Sequence, residues 1–324
     1  FIIAIGENPI DAYAALFRGA FDGKLRLGTT LAGFTPLLLT SIAFAVAAKA
    51  GAFNVGVEGE VFLGGITAAY IGINWTFLPK PALYVACFVG AMVVAAAWAF
   101  IPAILRAYYN VNEVCTTILM NTVALYITSY LVSGPMSAGT ANAQSLPVTV
   151  RLYQFMKPSS VNVGIFIAAI TVIVIIFMLQ KSSWGYKIRT VGLNPTHADY
   201  VGIDSKKVFV GAMMLSGMLG GMAGCIEVLG VHGYFLNNFA TGLGSNGMLA
   251  ALIVKNNMVS TPFMAFFLAV LKSGAMGMQQ STGVPKSLVD TITAVFIIIA
   301  TMETAFQFTK KRKKKTEGKK EDKA

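Results

Sequence analysis

The chain has 324 residues, of which 56% are hydrophobic and only 12% charged, with a formal net charge of +11. A soluble domain of this length cannot hide so much apolar surface in one core, whereas a bilayer solvates it. Backbone that crosses lipid must satisfy its own hydrogen bonds, and runs such as 165–179 lack the alternation of a barrel strand, so the expected fold is all-α, a polytopic bundle of transmembrane helices.

In chain order, residues 1–5 read as the end of a truncated span, and residues 8–27, with Arg18, Lys24 and Arg26, as an amphipathic interfacial stretch. Residues 27–48 are the first full span. Residues 51–59 form a polar, glycine-rich interruption carrying Asn54 and Glu58, followed by an apolar run at 61–73 that is too short to cross alone. Residues 83–105 and 114–132 span, with Asn112 and Glu113 just before the second. Residues 133–161 are the longest polar stretch. Residues 163–179 span and 181–207 form a basic polar loop. Residues 208–231 span with Glu227 near the end, 233–245 break, and 248–254 are short. Residues 262–278 and 287–308 span, and 310–324 are a solvated basic tail. The total is about eight to ten membrane segments, some discontinuous, in a transmembrane domain at 1–309 ahead of the tail.

Lysine and arginine set the orientation. The tail is crowded with lysine, which assigns the C-terminus and the tail to the cytoplasm. Counting spans backwards puts the 181–207 loop, Lys49, Arg106 and Lys255 on the same side. The 133–161 stretch then lies outside, and so does the cluster Arg18, Lys24, Arg26, against the usual rule. The tail can contact membrane lipid. No aromatic-studded basic patch accompanies the charge, so it does not argue for nucleic acid.

Ionisable and amide groups inside a membrane normally face the bundle interior or a water-filled path. Asn54, Glu58, Asn121, Glu227 and Asn246 are therefore candidates for a polar path. Glu113 opens a helix, where an acid suits the dipole. Gly51, Gly56 and Gly59 let the backbone leave helical geometry, so 51–65 predicts a discontinuous span. Gly242, Gly244 and Gly247 predict a second, a pattern of solute paths near a bundle centre. Gly217, Gly220, Gly221 and Gly224 read as close helix packing. In the basic loop, Tyr186, Ile188 and Val191 fall on one helical face. Asn194 and Pro195 then suit the cap and first position of a second short helix ending at Gly202. Such a helix is a natural docking peg.

Cys87, Cys115 and Cys225 lie in apolar segments without metal-ligand spacing, and His197 and His232 are too few for a rich site. No P-loop, HExxH or GxSxG is present, so neither a catalytic site nor a cofactor is expected and the chain is read as no enzyme.

Several segments carry a family likeness. GAFNVGVEGEVFLGG (51–65) resembles the GxFNxGxEGQxxLG signature of permease subunits in simple-sugar and nucleoside ABC importers. NEVCTTILMNTVALYITSYLVSGP (112–135) resembles the same family's next signature, and GYKIRTVGLNPTHADYVGID (185–204) its cytoplasmic coupling segment. LSGMLGGMAGCIEVLGVHG (215–233) and STGVPKSLVDTI (281–292) also fit, and NPIDAYAALFRGAF (8–21) fits the nucleoside branch, as the larger of two paired permeases. Glu60 departs from the pattern, where the family often has glutamine.

The resemblance implies a bacterial plasma-membrane permease for nucleosides, with simple sugars as the alternative. Its partners would be a second homologous permease, a cytoplasmic ABC ATPase and an extracellular substrate-binding lipoprotein. Gly185, Arg189, Gly192, Asn194, Pro195, Ala198 and Gly202 would then transmit the ATPase stroke. An ion-coupled secondary transporter using Glu58 or Glu227 is the rival from another class; a membrane enzyme and a non-transporting scaffold are weaker ones.

Overall fold

The computed structural model describes residues 9–282, together with Ser287 and Thr291. Apart from those two residues, the runs expected at 1–5 and 287–308, the tail at 310–324 and most of the 281–292 motif lie outside the described residues. Eleven helices follow in order among them: α1 Pro9–Phe21, α2 Gly23–Lys49, α3 Val57–Asn74, α4 Lys80–Tyr109, α5 Glu113–Ser133, α6 Gly164–Lys181, α7 Ser183–Leu193, α8 Pro195–Tyr200, α9 Ser205–Ile226, α10 Leu243–Ile253 and α11 Thr261–Thr282. A π-helical turn, Glu227–His232, continues α9. Among the described residues there is no strand, only isolated bridges such as Gln144 with Leu236.

Among the described residues, six helices are long and apolar enough to cross a membrane: α2, α4, α5, α6, α9 with its π turn, and α11. α10 is a shorter apolar helix, and α3 opens on Glu58 and Glu60. The chain is a multi-pass membrane protein.

The core is organised by α9, which packs against α2, α3 and α4 at once. Its glycines allow this. Gly217 and Gly221, four residues apart, share one face and lie against Ala95, Ala99 and Ala91 of α4. Gly220 and Gly224 share the neighbouring face and lie against Glu60, Val61 and Gly65 of α3. A Cβ at Gly217 would sit 2.6 Å from the Ala95 carbonyl oxygen, so a larger residue must push the helices apart. Small residues do the same where α1 meets α11, at Gly19, Gly274 and Gly277. Lipid gives helices no hydrophobic drive to associate, so close backbone approach and dispersion hold them together.

The periphery is different. On α6, Phe166, Ile170, Ile173 and Phe177 are exposed. On α5, Leu119, Tyr126 and Tyr130 are exposed. These helices present apolar faces to whatever surrounds the bundle.

The amphipathic stretch expected at 8–27 is α1 and the start of α2, with α1 laid along α11. The discontinuity expected over 51–65 is confined to 50–56; α3 runs without a break from Val57 to Asn74. The glycines inside α3 serve close approach instead: Gly64 lies against Gly221, and Gly59 against Asn121.

Gly217→Leu is expected to lower the stability of the purified permease by about 1–3 kcal/mol, the usual cost of overpacking, read as a drop in its thermal midpoint in detergent.

Candidate functional site

The two ends of the bundle are distinguishable. At one end Lys49, Arg189, Val254 and Lys255 line a common cavity, and Lys206 lies 5.1 Å from the centre of the Tyr108 ring. Lys49, Lys255 and the 181–207 loop thus share that end, as the charge pattern requires. At the other end the 133–161 stretch covers the π turn.

The irregular backbone at 50–56 sits inside the bundle, where each polar group needs a partner. The Ala50, Gly51 and Ala52 amides donate to the carbonyls of Ala47, Ala48 and Ala47. Two asparagines supply further partners. Asn54 Oδ1 accepts from the Gly56 amide at 2.9 Å, and its Nδ2 lies 2.9 Å from both Glu60 Oε1 and Ser216 Oγ. Asn121 reaches across from α5: its Oδ1 accepts from the Gly59 amide at 2.8 Å, and its Nδ2 donates to the Val55 carbonyl at 2.9 Å. Asn54 is 1% exposed and Glu60 1% exposed. Asn121 thus bonds the break through backbone partners alone, and Asn54 through the Gly56 amide and the side chains of Glu60 and Ser216. Ser216 and the reach of Asn121 could not be found from spacing, because each pairs with a residue distant in sequence, whereas Glu60 lies only six residues from its partner Asn54.

Ser216 lies halfway along α9, about 16 Å from its first residue at the helical rise, and Asn54 bonds to it. The first turn of α3 is thus near mid-depth. There it meets the first turn of α10, since a Cβ on Gly244 would sit 2.6 Å from the Glu58 amide nitrogen. Ser245 Oγ lies 3.3 Å from Glu58 Oε2. Two helix N-termini, each carrying a partial positive charge, converge on one carboxylate. Asn246 Nδ2 turns back to the Gly242 carbonyl, where a left-handed Gly242 (φ 80°) opens α10. α10 has 11 residues and cannot cross alone, as expected. Ser245 is exposed and Glu58 half-buried, so this seam opens on the surface of the chain. Asn237 Nδ2 to Ser129 Oγ, at 3.2 Å, ties the segment before α10 to α5.

Glu227 stands apart from that seam. It is buried in the π turn, 3.6 Å from His232 Nε2, and lines a cavity of about 290 Å³ with Thr29, Ser160, His232, Lys272 and Ser273. The π geometry frees carbonyls that the 133–161 stretch satisfies: Leu152 N to Leu229, Gln154 Nε2 to Gly230, and Arg151 Nη2 to His232 at 2.6 Å. That role of the long polar stretch leaves no signal in its composition.

The basic loop forms a stiff peg. Ser182 caps α7 by accepting from the Gly185 amide at 3.0 Å, and Asn194 caps α8 by accepting from the His197 amide at 3.1 Å. Pro195 occupies the first helical position, and a left-handed Gly202 (φ 81°) ends the turn. Asp199 accepts from Ser205 N and Oγ, locking α8 to α9. Hydrogen bonding from the Lys207 amide, then its ammonium, holds the Asp204 carboxyl below its ordinary range. Ile188, Val191 and Ala198 are buried, but Tyr186 is exposed and does not share their face. Tyr186, Ile188 and Val191 were expected together; of the three, only Ile188 and Val191 are buried. Leu193 and Tyr200 are 88% and 86% exposed.

The peg touches the break directly. A Cβ on Gly192 would sit 2.8 Å from the Lys49 carbonyl carbon, and one on Gly51 would sit 3.6 Å from Gly192 Cα. Gly185 packs on the end of α6, and Arg189 donates to the Leu179 carbonyl. The seven expected coupling residues lie on one short segment that leans on the last turns of α2 and α6. Glu113, set aside as structural, opens α5 and pairs with Arg106 at 3.2 Å.

Residues 26–301 match the family described as branched-chain amino acid transport system / permease component. The guanosine ABC transporter permease protein NupP of Bacillus subtilis is 32% identical over 323 residues, covering 97% of this chain and 92% of that protein. The nucleoside ABC transporter permease protein NupB of Lactococcus lactis is 31% identical, covering 91% of this chain and 84% of that protein. The glucose ABC transporter permease protein TsgB13 of Haloferax volcanii is 32% identical, covering 92% and 81% respectively. No solved structure matches the chain significantly.

Asn121→Ala strands the Gly59 amide and the Val55 carbonyl. It is expected to cost about 1–3 kcal/mol for each buried group left unpaired, read from the thermal midpoint. Glu60→Gln retains the oxygen that accepts from Asn54 and should leave that midpoint unchanged.

Proposed function

The chain belongs to the family of permease components of branched-chain amino acid transport systems, and from that premise we propose that it is the transmembrane subunit of an ABC importer, forming half of a path for nucleosides. The observation that carries this reading is the seam at Glu58 and Ser245. A carboxylate at mid-depth on an open face is costly against lipid, by about 3 kcal/mol or more. That face therefore needs water and a second protein. A second homologous permease, meeting this chain across the seam and the exposed face of α5, would close the path.

Nucleosides fit the site chemically. They are neutral and rich in donors and acceptors, and the seam offers a hydroxyl, a carboxylate and helix-terminal amides. The substrates printed in the names of two relatives support the nucleoside; the glucose permease keeps a simple sugar as the second reading. Glu58 and Asn246 are the path residues favoured here. Asn54 and Asn121 would act by positioning them, and Glu227 would act from its own cavity.

The energy would come from outside the chain. A cytoplasmic ABC ATPase would grip the peg at Leu193, Pro195 and Tyr200, and its closure on ATP would push Gly192 against Lys49. The stroke would pass through 50–56 to the first turn of α3, shifting the balance between outward and inward states. A substrate-binding lipoprotein would deliver the nucleoside to the opposite end, beside 133–161. In this arrangement the 181–207 loop and the C-terminus face the cytoplasm of a bacterial cell.

Leu193→Asp and Tyr200→Ala alter exposed groups, so stability should stay within about 0.5 kcal/mol. ATP-driven guanosine uptake should fall about tenfold or more, the usual size of a coupling free energy. The check is uptake in proteoliposomes holding the whole transporter. Uptake that persists without the ATPase and collapses with an uncoupler would contradict the reading, and glucose uptake without guanosine uptake would replace the substrate.

A further inference from the structure

At the peg end of the bundle, Lys49, Arg189 and Lys255 converge on a cavity of about 410 Å³. They come from three elements: the last residue of α2, the middle of α7 and the turn after α10. Leu179, Gln180, Val254, Asn257 and Met258 also line it, and among the described residues no carboxylate does. None of the three cations is in an ion pair among the described residues. Lys255 and Asn256 both adopt left-handed backbone (φ 54° and 55°), an uncommon conformation for residues other than glycine, in the turn that brings Lys255 to the cavity.

Cations at helix C-termini balance the dipole, and this accounts for part of the arrangement. Arg189 already donates to the Leu179 carbonyl at the end of α6. It does not account for three cations sharing one cavity. Like charges held together call for an anion between them.

The surroundings of the cavity indicate what carries that anion. α6 and α11 both pack on α2; α6 lines the cavity through Leu179 and Gln180, and Met258 lines it from the turn that leads into α11. Beside it, both helices turn bulky rings outward: Phe177 is 67% exposed and Phe263 75% exposed. A cationic cavity set between exposed apolar flanks at the end of a membrane bundle matches a charged headgroup on acyl chains.

We propose that this cavity binds the phosphodiester headgroup of one anionic phospholipid, with its acyl chains along the outer flanks of α6 and α11. The inference goes beyond the transport reading and requires only that the chain sits in a bilayer. The bound phosphate would bridge α7 to the ends of α2 and α10, so it would brace the peg against the break.

The test is lipid retention by the purified transporter complex, measured by native mass spectrometry with phosphatidylglycerol and, separately, phosphatidylcholine. One phosphatidylglycerol per copy of this chain is expected, without matching retention of phosphatidylcholine. Lys49→Gln/Lys255→Gln should weaken retention about thirtyfold, from roughly fivefold for each cation removed. Lys49→Arg/Lys255→Arg should keep it, and Lys181→Gln/Lys187→Gln, outside the cavity, should not change it. Absence of a phosphatidylglycerol adduct on the unaltered complex overturns the proposal, whatever the variants do. So does equal loss in the Lys181/Lys187 pair, which would mark a diffuse surface charge. Displacement of the lipid by millimolar inorganic phosphate also overturns it, in favour of a free-anion site.

Discussion

A membrane bundle that interrupts its helices must find partners for every freed amide and carbonyl, because lipid offers none. Two side chains meet that constraint at the inner break. Asn54 binds the break to α3 and α9, and Asn121 binds it to α5. The outer break depends on the 133–161 stretch, whose backbone and side chains serve the π turn. The seam between Glu58 and Ser245 lies where the first of these breaks, held by Asn54 and Asn121, sets the start of α3 against the start of α10 near mid-depth.

The same constraint explains how a stroke from outside could reach the seam. The peg is stiffened by its own caps and by Asp199 on Ser205, so it moves as a unit. Glycine at positions 51 and 192 lets its backbone touch the end of α2 with no side chain between them. A displacement there is passed on by packed backbone, which is hard to compress. The break beyond it is held by a few hydrogen bonds, and in the proposed transport cycle these would exchange between two arrangements. Stiff drive and bistable joint are the ingredients of a switch.

Much of this was legible in the chain. The spans followed from apolar length, the peg's two helices from Asn194, Pro195 and Gly202, and the packing of α9 from its glycines at spacings of three and four. Other features were hidden. Gly59, Gly64 and Gly65 look like helix breakers in sequence, yet α3 runs through them, because a glycine that lets a neighbour approach and one that lets backbone turn read alike. Asn54 and Asn121 read as path residues, since the cost of an amide in a membrane says only that it needs a partner. Some of the partners they have inside the chain, Ser216 and the Gly59 amide, are far away in sequence and leave no local signal. Glu60 is a family variation on paper, yet its Oε1 accepts from Asn54 in the break.

The central claim is that the seam opens alternately to the two sides as the peg is driven. Ser245→Cys in a Cys115→Ala background tests it, since Cys87 and Cys225 are buried. The measurement is the rate of labelling by a membrane-impermeant maleimide applied to either face of the reconstituted transporter, with and without ATP bound by the partner ATPase. The account predicts that the favoured side of labelling reverses with nucleotide, and that Gly192→Leu abolishes the reversal. Labelling from one side alone, at a rate indifferent to nucleotide, would contradict it.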